Sequence, residues 1–316
     1  MWNTRALWDG EDTSASVKVK LIPFHLKTPM TSEPPIKKIN MGTDESSSPA
    51  SFPCWIEGSF HDRLKARSFY SQLLGLTAHD SGEGTPFVYT RLRNGESDVC
   101  GISEDSEKPS AWSLHFSVSD CDEWTVKAKD LGAKVIAEPF DVMTYGRMSV
   151  IQDSQGAFFN LWQSKEHSGT PYHPIDPKLV PGFGWTEMYT NDIEDSVSFY
   201  SKLFSWEITR EGEYVSFTLD GKPIAGLMKI QKDWGEVPPC WTVYFIVDDV
   251  DKYTEKIKEL GGTIIVEPKN AMDSIRFVTF MDDQKAVCSL YHPLPSTKAT
   301  ESETVSKSEE DKVDEE

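Results

Sequence analysis

Short runs in which apolar and polar residues alternate are separated by two stretches with helical spacing, and this whole pattern occurs twice along the chain. Residues 53–59, opening Pro53-Cys54-Trp55-Ile56-Glu57, read as a strand. Asp62 then stands in a helix N-cap position. Ala66, Phe69, Tyr70 and Leu73 follow at i, i+3, i+4 and i+7, the stripe of a helix that Gly75 stops. Strands are predicted over 87–92 and around 99–102. The order then repeats: a strand over 112–118, Asp120 or Asp122 as the cap, and a helix with Trp124, Ala128 and Leu131 on one face that ends at Gly132. Strands near 134–138, 147–152 and 157–163 close this part of the chain.

About 130 residues later the same text returns. Trp55, Glu57, Ser68-Phe69-Tyr70-Ser71 and Leu73 recur as Trp185, Glu187, Ser198-Phe199-Tyr200-Ser201 and Leu203. Trp112, Phe116, Asp120, Leu131-Gly132, Glu138-Pro139, Arg147 and Asp153 recur as Trp241, Phe245, Asp249, Leu260-Gly261, Glu267-Pro268, Arg276 and Asp282. The register slips by one residue only, which means two copies of one domain. Each copy holds two strand-helix-strand-strand-strand units. A sheet of that size cannot cover its own face, so two units must pair into a cup whose concave side suits a small molecule. The expected boundaries are a disordered segment 1–51, domain one over 52–165, a Pro-rich linker 166–180, domain two over 181–294 and a disordered acidic tail 295–316. The ends lack apolar periodicity and cannot offset their ordering entropy, so both are expected to be dispensable for folding.

Composition narrows the partners. The formal net charge of −19 disfavours nucleic acid and anionic membrane, which require clustered Lys and Arg. The five cysteines are dispersed without a CxxC pair, which is neither a disulfide framework nor a zinc knuckle and suits a reducing compartment. No apolar run reaches the length of a membrane span. The expectation is a cytoplasmic protein, with the nucleus as a second compartment.

The stretch Gly184-Trp185-Thr186-Glu187-Met188-Tyr189-Thr190-Asn191-Asp192, followed by Ser198-Phe199-Tyr200-Ser201-Lys202-Leu203-Phe204, resembles the opening of glyoxalase/bleomycin-resistance domains of the vicinal oxygen chelate superfamily. The turn and strand Asp153-Ser154-Gln155-Gly156-Ala157-Phe158-Phe159 resembles that family's closing motif; its copy, Asp282-Asp283-Gln284-Lys285-Ala286-Val287, lacks the glycine. The resemblance implies an α+β fold of two tandem domains, each a cupped eight-stranded mixed sheet from paired βαβββ modules. It leaves the reaction open, because the superfamily spans lyases, isomerases, dioxygenases, thiol transferases and non-catalytic drug binders.

Metal enzymes of that family carry imidazole and carboxylate ligands on the inward face. By the resemblance, the matching positions are Trp55, Ser113 and Asn160 in domain one and Trp185, Thr242 and Ser289 in domain two. Indole, hydroxyl and amide groups are poor ligands for zinc or nickel, so the expectation is no metal cofactor.

Alternation puts Trp55 and Glu57 on the same face of their strand, and likewise Ser113 and His115 on the same face of theirs. If these faces line the cup, Glu57 and His115 form a carboxylate–imidazole pair able to do acid–base work, in a cavity walled by Trp55, Phe158 and Trp162. The competing reading makes Glu57 a structural hydrogen-bond acceptor and His115 a satisfied core histidine. Recurrence of the acid as Glu187, with Tyr244 where His115 stood, favours that structural role for the glutamate. Asn160, Trp162, Trp185, Glu187, Tyr244 and Tyr291 are the remaining candidates for contact with a ligand; Trp241 could also stack on one. Arg147 and Arg276 are read as partners of Asp141 and Asp273. His61 and His79 are assigned to loops, and His167, His173 and His292 to domain ends without a partner.

The function expected is binding or conversion of a small organic molecule in a metal-free cup. Alternatives are a divalent-metal-dependent lyase or isomerase of glyoxalase type, and a non-catalytic duplicated scaffold for protein interaction. One chain supplies complete cups, so a monomer suffices.

Overall fold

The computed structural model describes residues 51–82, 84, 88–170, 180–271 and 274–294, and these form two eight-stranded sheets of identical plan. Domain one runs β1 (Pro53–Phe60), α1 (Arg63–Leu74), β2 (Thr77–Ser81), β3 (Tyr89–Asn94), β4 (Ser97–Glu104), β5 (Ala111–Ser117), α2 (Cys121–Asp130), β6 (Lys134–Val142), β7 (Gly146–Gln152) and β8 (Phe158–Ser164). Domain two runs β9 (Gly182–Thr190), α3 (Ile193–Phe204), β10 (Glu207–Glu211), β11 (Tyr214–Leu219), β12 (Lys222–Lys229), β13 (Cys240–Ile246), α4 (Val250–Glu259), β14 (Thr263–Ala271), β15 (Ile275–Met281) and β16 (Val287–Pro293). The spatial order is β2-β3-β4-β1-β5-β8-β7-β6, and likewise β10-β11-β12-β9-β13-β16-β15-β14. β1 pairs in parallel with β4 and β5 with β8, while β1 and β5 join the two βαβββ units antiparallel.

Local chemistry sets the ends of the helices. Asp62, Asp120, Asp192 and Asp249 are N-caps, each accepting from the backbone N–H three residues on. Gly75 ends α1 in the left-handed conformation, at φ 67°. The strand β2 has no apolar alternation and so is silent in the sequence. Its place at the sheet edge is fixed by pairing with β3, and by Arg63 and Arg67 gripping Asp80 at 3.0 and 2.9 Å. His79 therefore lies on a strand and not, as the sequence suggested, in a loop; His292 lies on β16 and contacts the Val247 carbonyl. Arg147 does meet Asp141, but its closer partner is Asp122; Arg276 takes the equivalent Asp251. Asp273 and His173 lie outside the described residues.

The two domains share one hydrophobic core. Their central strands β5 and β13 face each other: Phe116 packs against Trp241 and Trp112 against Phe245, at ring-centroid distances of 5.2 and 5.3 Å. The first helix of each domain reaches across. Phe69 of α1 stacks on Phe280 of β15, and Phe199 of α3 packs on Phe159 of β8. Trp241 is therefore an interdomain core residue, whose indole N–H donates to Tyr200, and not a ligand platform.

At the centre of this interface the helix stripe and the closing turn meet reciprocally. Tyr70 donates to Asp282 of the other domain at 2.8 Å, and Tyr200 donates to Asp153 at 2.7 Å. The Trp112 and Trp241 indoles donate in turn to Tyr70 and Tyr200. Each aspartate also holds its own turn: Asp153 accepts from the N–H groups of Gln155 and Ala157, Asp282 from those of Gln284 and Ala286. Where domain one has Gly156 at φ 104°, domain two holds Lys285 at φ 75°, so the missing glycine leaves the turn in a strained left-handed conformation with its hydrogen bonds intact.

Residues just outside the expected bounds of domain one make buried contacts with the body of the protein. Ser51 is buried and its carbonyl accepts from Trp206 of domain two at 2.7 Å. Beyond β8, residues through Thr170 stay on domain one: the Thr170 N–H donates to Cys54 and its hydroxyl to Asp98 and Val99.

Two predictions follow from this interface. Tyr70→Phe and Tyr200→Phe each leave a buried carboxylate and a buried indole N–H short of a partner. Each should lower unfolding free energy by about 1–3 kcal/mol in urea denaturation, whereas an exposed change such as Leu64→Ala should stay within about 0.5 kcal/mol. A chain starting at residue 45 should melt with the full-length protein. One starting at 52 removes the acceptor of Trp206 and should melt a few degrees lower, in keeping with a loss of about 1 kcal/mol.

Candidate functional site

With the convex faces buried against each other, the concave faces are left for ligands. The strand register shows what each one carries. In domain one Trp55 stands opposite His115, Glu57 opposite Ser113, His115 beside Asn160, and Met148 opposite Trp162. In domain two the matching rows are Trp185–Tyr244, Glu187–Thr242 and Tyr244–Ser289. Paired residues share a sheet face, so the predicted site residues lie together on the concave sides.

Glu57 and His115 are brought to one face but not into contact; each has its own partners. Glu57 is half-buried and accepts from Tyr89 at 2.9 Å and from Ser103 at 3.0 Å. Trp55 donates to the same Tyr89 hydroxyl at 3.1 Å. Beneath this cluster lies Gly101, where a Cβ would come within 1.8 Å of the Tyr89 hydroxyl, so the glycine makes the approach sterically feasible. Domain two repeats the device. Glu187 accepts from Tyr244 at 2.8 Å, and a Cβ on Gly226 would lie 2.0 Å from the Tyr214 hydroxyl and 2.9 Å from the Glu187 carboxylate. Burial raises the pKa of both glutamates, and the hydroxyl donors only partly offset this.

His115 is buried, and its Nε2 lies 3.2 Å from the Asn160 amide nitrogen. With that amide as donor, Nε2 accepts and the imidazole proton sits on Nδ1, which has no hydrogen-bond partner. The Trp55 backbone is near enough to favour the charged ring slightly, yet outside bonding geometry. Burial dominates and pushes the His115 pKa down to about 3, with His167 acting the same way.

His167 was missed in the sequence because its position depends on the path of the chain after β8. Residues 165–170 cross the concave face: the N–H groups of Lys165 and His167 donate to Tyr145, and the Trp162 indole donates to the His167 carbonyl at 2.9 Å. The His167 ring packs edge-on to Trp55 with centroids 4.6 Å apart, and 6.1 Å from Trp162. Its pKa is lowered by burial, with Asp98 opposing. Trp55 and Trp162 wall the cup as expected, but Phe158 is 45% exposed and does not. Tyr291 is buried in the second cup and donates to the Gly184 carbonyl.

The family's metal-ligand positions carry donors that do not fit a divalent metal: an indole, hydroxyls and a primary amide, with Ser289 already engaged by Thr279. Among the described residues no group of three His, Cys, Asp or Glu side chains is placed to hold one. Among the same residues no helix is long and apolar enough to cross a membrane.

Comparison with known proteins agrees with this architecture. The family model described as Glyoxalase/Bleomycin resistance protein/Dioxygenase superfamily matches residues 62–161 and 182–286, and the chain belongs to that superfamily. It is 30% identical over 256 residues to a Mycobacterium bovis protein named "Putative glyoxylase CFP32", covering 77% of this chain and 95% of that one. It is 29% identical over 240 residues to the anthracycline biosynthesis protein DauV of a Streptomyces species, covering 68% of this chain and 84% of that one. The Mn(II)-bound glyoxalase from Novosphingobium aromaticivorans superposes with a TM-score of 0.57 at 13% identity, over 78% of this chain and 83% of that one. The 2,3-dioxygenase LapB from Pseudomonas sp. KL28 also gives 0.57, at 10% identity, over 79% and 96%. At such identities the two structures speak for the fold alone.

The state of His115 makes a pH prediction. Its folded pKa of about 3 lies below the ordinary 6.5, so the unfolded chain takes up a proton first. The stabilising contribution is complete above pH 6.5 and is lost as pH falls toward 3. His115→Gln should therefore flatten the fall of urea-unfolding free energy across that window relative to wild type; parallel curves would show that the ring titrates alike in the folded and unfolded chain.

Proposed function

We propose that the chain binds a small organic molecule in the cup of domain one and transfers a proton on it without a metal ion. The observation that carries this reading is His115: a buried, neutral imidazole with an unpartnered Nδ1, on the same face as a carboxylate of raised pKa. A donor of that kind suits a carbonyl oxygen that gains negative charge. Glu57 suits the carbon beside it. Its carboxylate takes the C–H proton, His115 Nδ1–H steadies the resulting enolate oxygen, and Glu57 returns the proton to the same or a neighbouring carbon. Trp55 and Trp162 supply apolar walls that keep water out. Ligand entry requires the 165–170 crossing, with His167 against Trp55, to give way. This chemistry is of the lyase or isomerase kind, and the Tyr89 and Ser103 hydroxyls support it by holding the Glu57 carboxylate in place.

The test is deuterium uptake at the carbon beside the carbonyl, followed by NMR over a panel of short 2-oxo acids and ketones in D2O. Wild type should exchange at least one of them, and His115→Gln and Glu57→Gln should each lose that activity by about a hundredfold or more while keeping the wild-type melting temperature within a few degrees. Exchange that survives both substitutions, or none from wild type across the panel, refutes the reading. Elemental analysis of protein purified without chelator should find no stoichiometric zinc, nickel, iron or manganese; about one ion per domain would move the chemistry to the metal-dependent class.

A further inference from the structure

We propose that the concave face of domain two is a binding site for an organic cation, an amine or quaternary ammonium group carried on a small molecule. The site is separate from the acid–base cup of domain one and does not depend on it.

The floor is Glu187, buried, which accepts from the Tyr244 hydroxyl at 2.8 Å; the Tyr189 hydroxyl lies 3.0 Å from that of Tyr244, and the Tyr214 hydroxyl stands beside the carboxylate over Gly226. No cation contacts it among the ion pairs of the described residues. A buried carboxylate lacking a counter-charge is costly, and a ligand cation would supply what the chain does not. Burial raises the Glu187 pKa, the direction expected of a carboxylate awaiting such a partner.

The walls are aromatic. Trp185 and Tyr189 are half-buried at the rim, and Trp234 stands edge-on to Tyr189, with ring centroids 5.2 Å apart and planes at 73°. Tyr189 is joined to Glu187 through the Tyr244 hydroxyl, and perpendicular rings near a carboxylate attract a desolvated ammonium group through the negative faces of their π systems. The same cup already places an ammonium on a ring: Lys269, on the edge strand β14, lies over Phe277 at 5.4 Å. The net charge of −19 adds a long-range field that draws cations toward the protein.

The register explains why the site belongs to domain two. In domain one the row across the sheet is Arg91–Gly101–Glu57, which puts a guanidinium, ion-paired with Asp98, on the face of the carboxylate. In domain two the row is Ser216–Gly226–Glu187. Ser59 and His115 also stand where domain two has Tyr189 and Tyr244. The first carboxylate thus has a guanidinium in its own row; the second has none there.

The probe pair is choline and its neutral isostere 3,3-dimethylbutan-1-ol, titrated calorimetrically into the full-length protein at low ionic strength. Choline should bind saturably and the isostere about tenfold more weakly or less, the discrimination a desolvated cation–π and carboxylate site provides. Glu187→Gln and Trp185→Leu should each weaken choline about tenfold or more, and Glu57→Gln should leave it unchanged. Equal affinity for the two probes, full choline binding by Glu187→Gln, loss of binding in Glu57→Gln, or no saturable binding up to millimolar choline would overturn the proposal. Should Glu187→Gln fail to fold, the wild-type probe pair and Trp185→Leu still decide it. Failure here leaves the deuterium-exchange test on domain one untouched.

Discussion

Everything in this molecule depends on two buried phenol–carboxylate hydrogen bonds that cross between the domains. Tyr70 reaches Asp282 and Tyr200 reaches Asp153, and each aspartate simultaneously closes the turn before the last strand of its own sheet. A tyrosine buries a large apolar ring and still delivers one polar atom, and an unmet carboxylate in a core is expensive. The domains are therefore docked in one orientation, with helix α1 over the sheet of domain two and α3 over that of domain one. Burial raises the pKa of both aspartates, Tyr200 and Tyr70 working against it, so the bonds serve orientation more than net stability.

That docking decides which face of each sheet can work. The convex faces carry Ile56, Leu114, Phe116, Phe159 and Leu161 and their copies, and they are used up in the shared core. The concave faces carry Glu57, His115 and Asn160, or Glu187, Tyr244 and Ser289. Such polar groups are tolerated there because each glutamate is wrapped by hydroxyl donors over a glycine that leaves room for them. The two copies keep this device and differ around it. An imidazole, a guanidinium and a covering stretch of chain mark the first cup, extra tyrosines the second. The two copies preserve the scaffold and differ in the side chains on its concave faces.

The cap at Asp62, a cap at Asp120 or Asp122 and the α1 and α3 stripes were legible in the sequence because each follows from spacing within a few residues; the duplication was legible from its long repeated register, and the cupped-sheet fold from the resemblance that register carries. So was the common face of Trp55, Glu57, Ser113 and His115, which needs only the alternation of a strand. The edge strand β2 was not legible, since pairing and the Arg63–Asp80 contact hold it with no apolar pattern.

What only the tertiary structure decided lies between distant segments. The stripe residues Tyr70 and Tyr200 read as ordinary core; that their hydroxyls serve the opposite domain depends on bringing together residues 212 and 47 positions apart. Trp241 was open to a ligand-stacking or a core reading, and it is a core residue that donates to Tyr200 at the interdomain interface. His167 read as a domain end, yet the chain leaving β8 lays it across Trp55. Local periodicity reports which side of a strand or helix is apolar. It cannot report what that side meets, because side-chain contact is set by packing, and packing is a property of the whole fold.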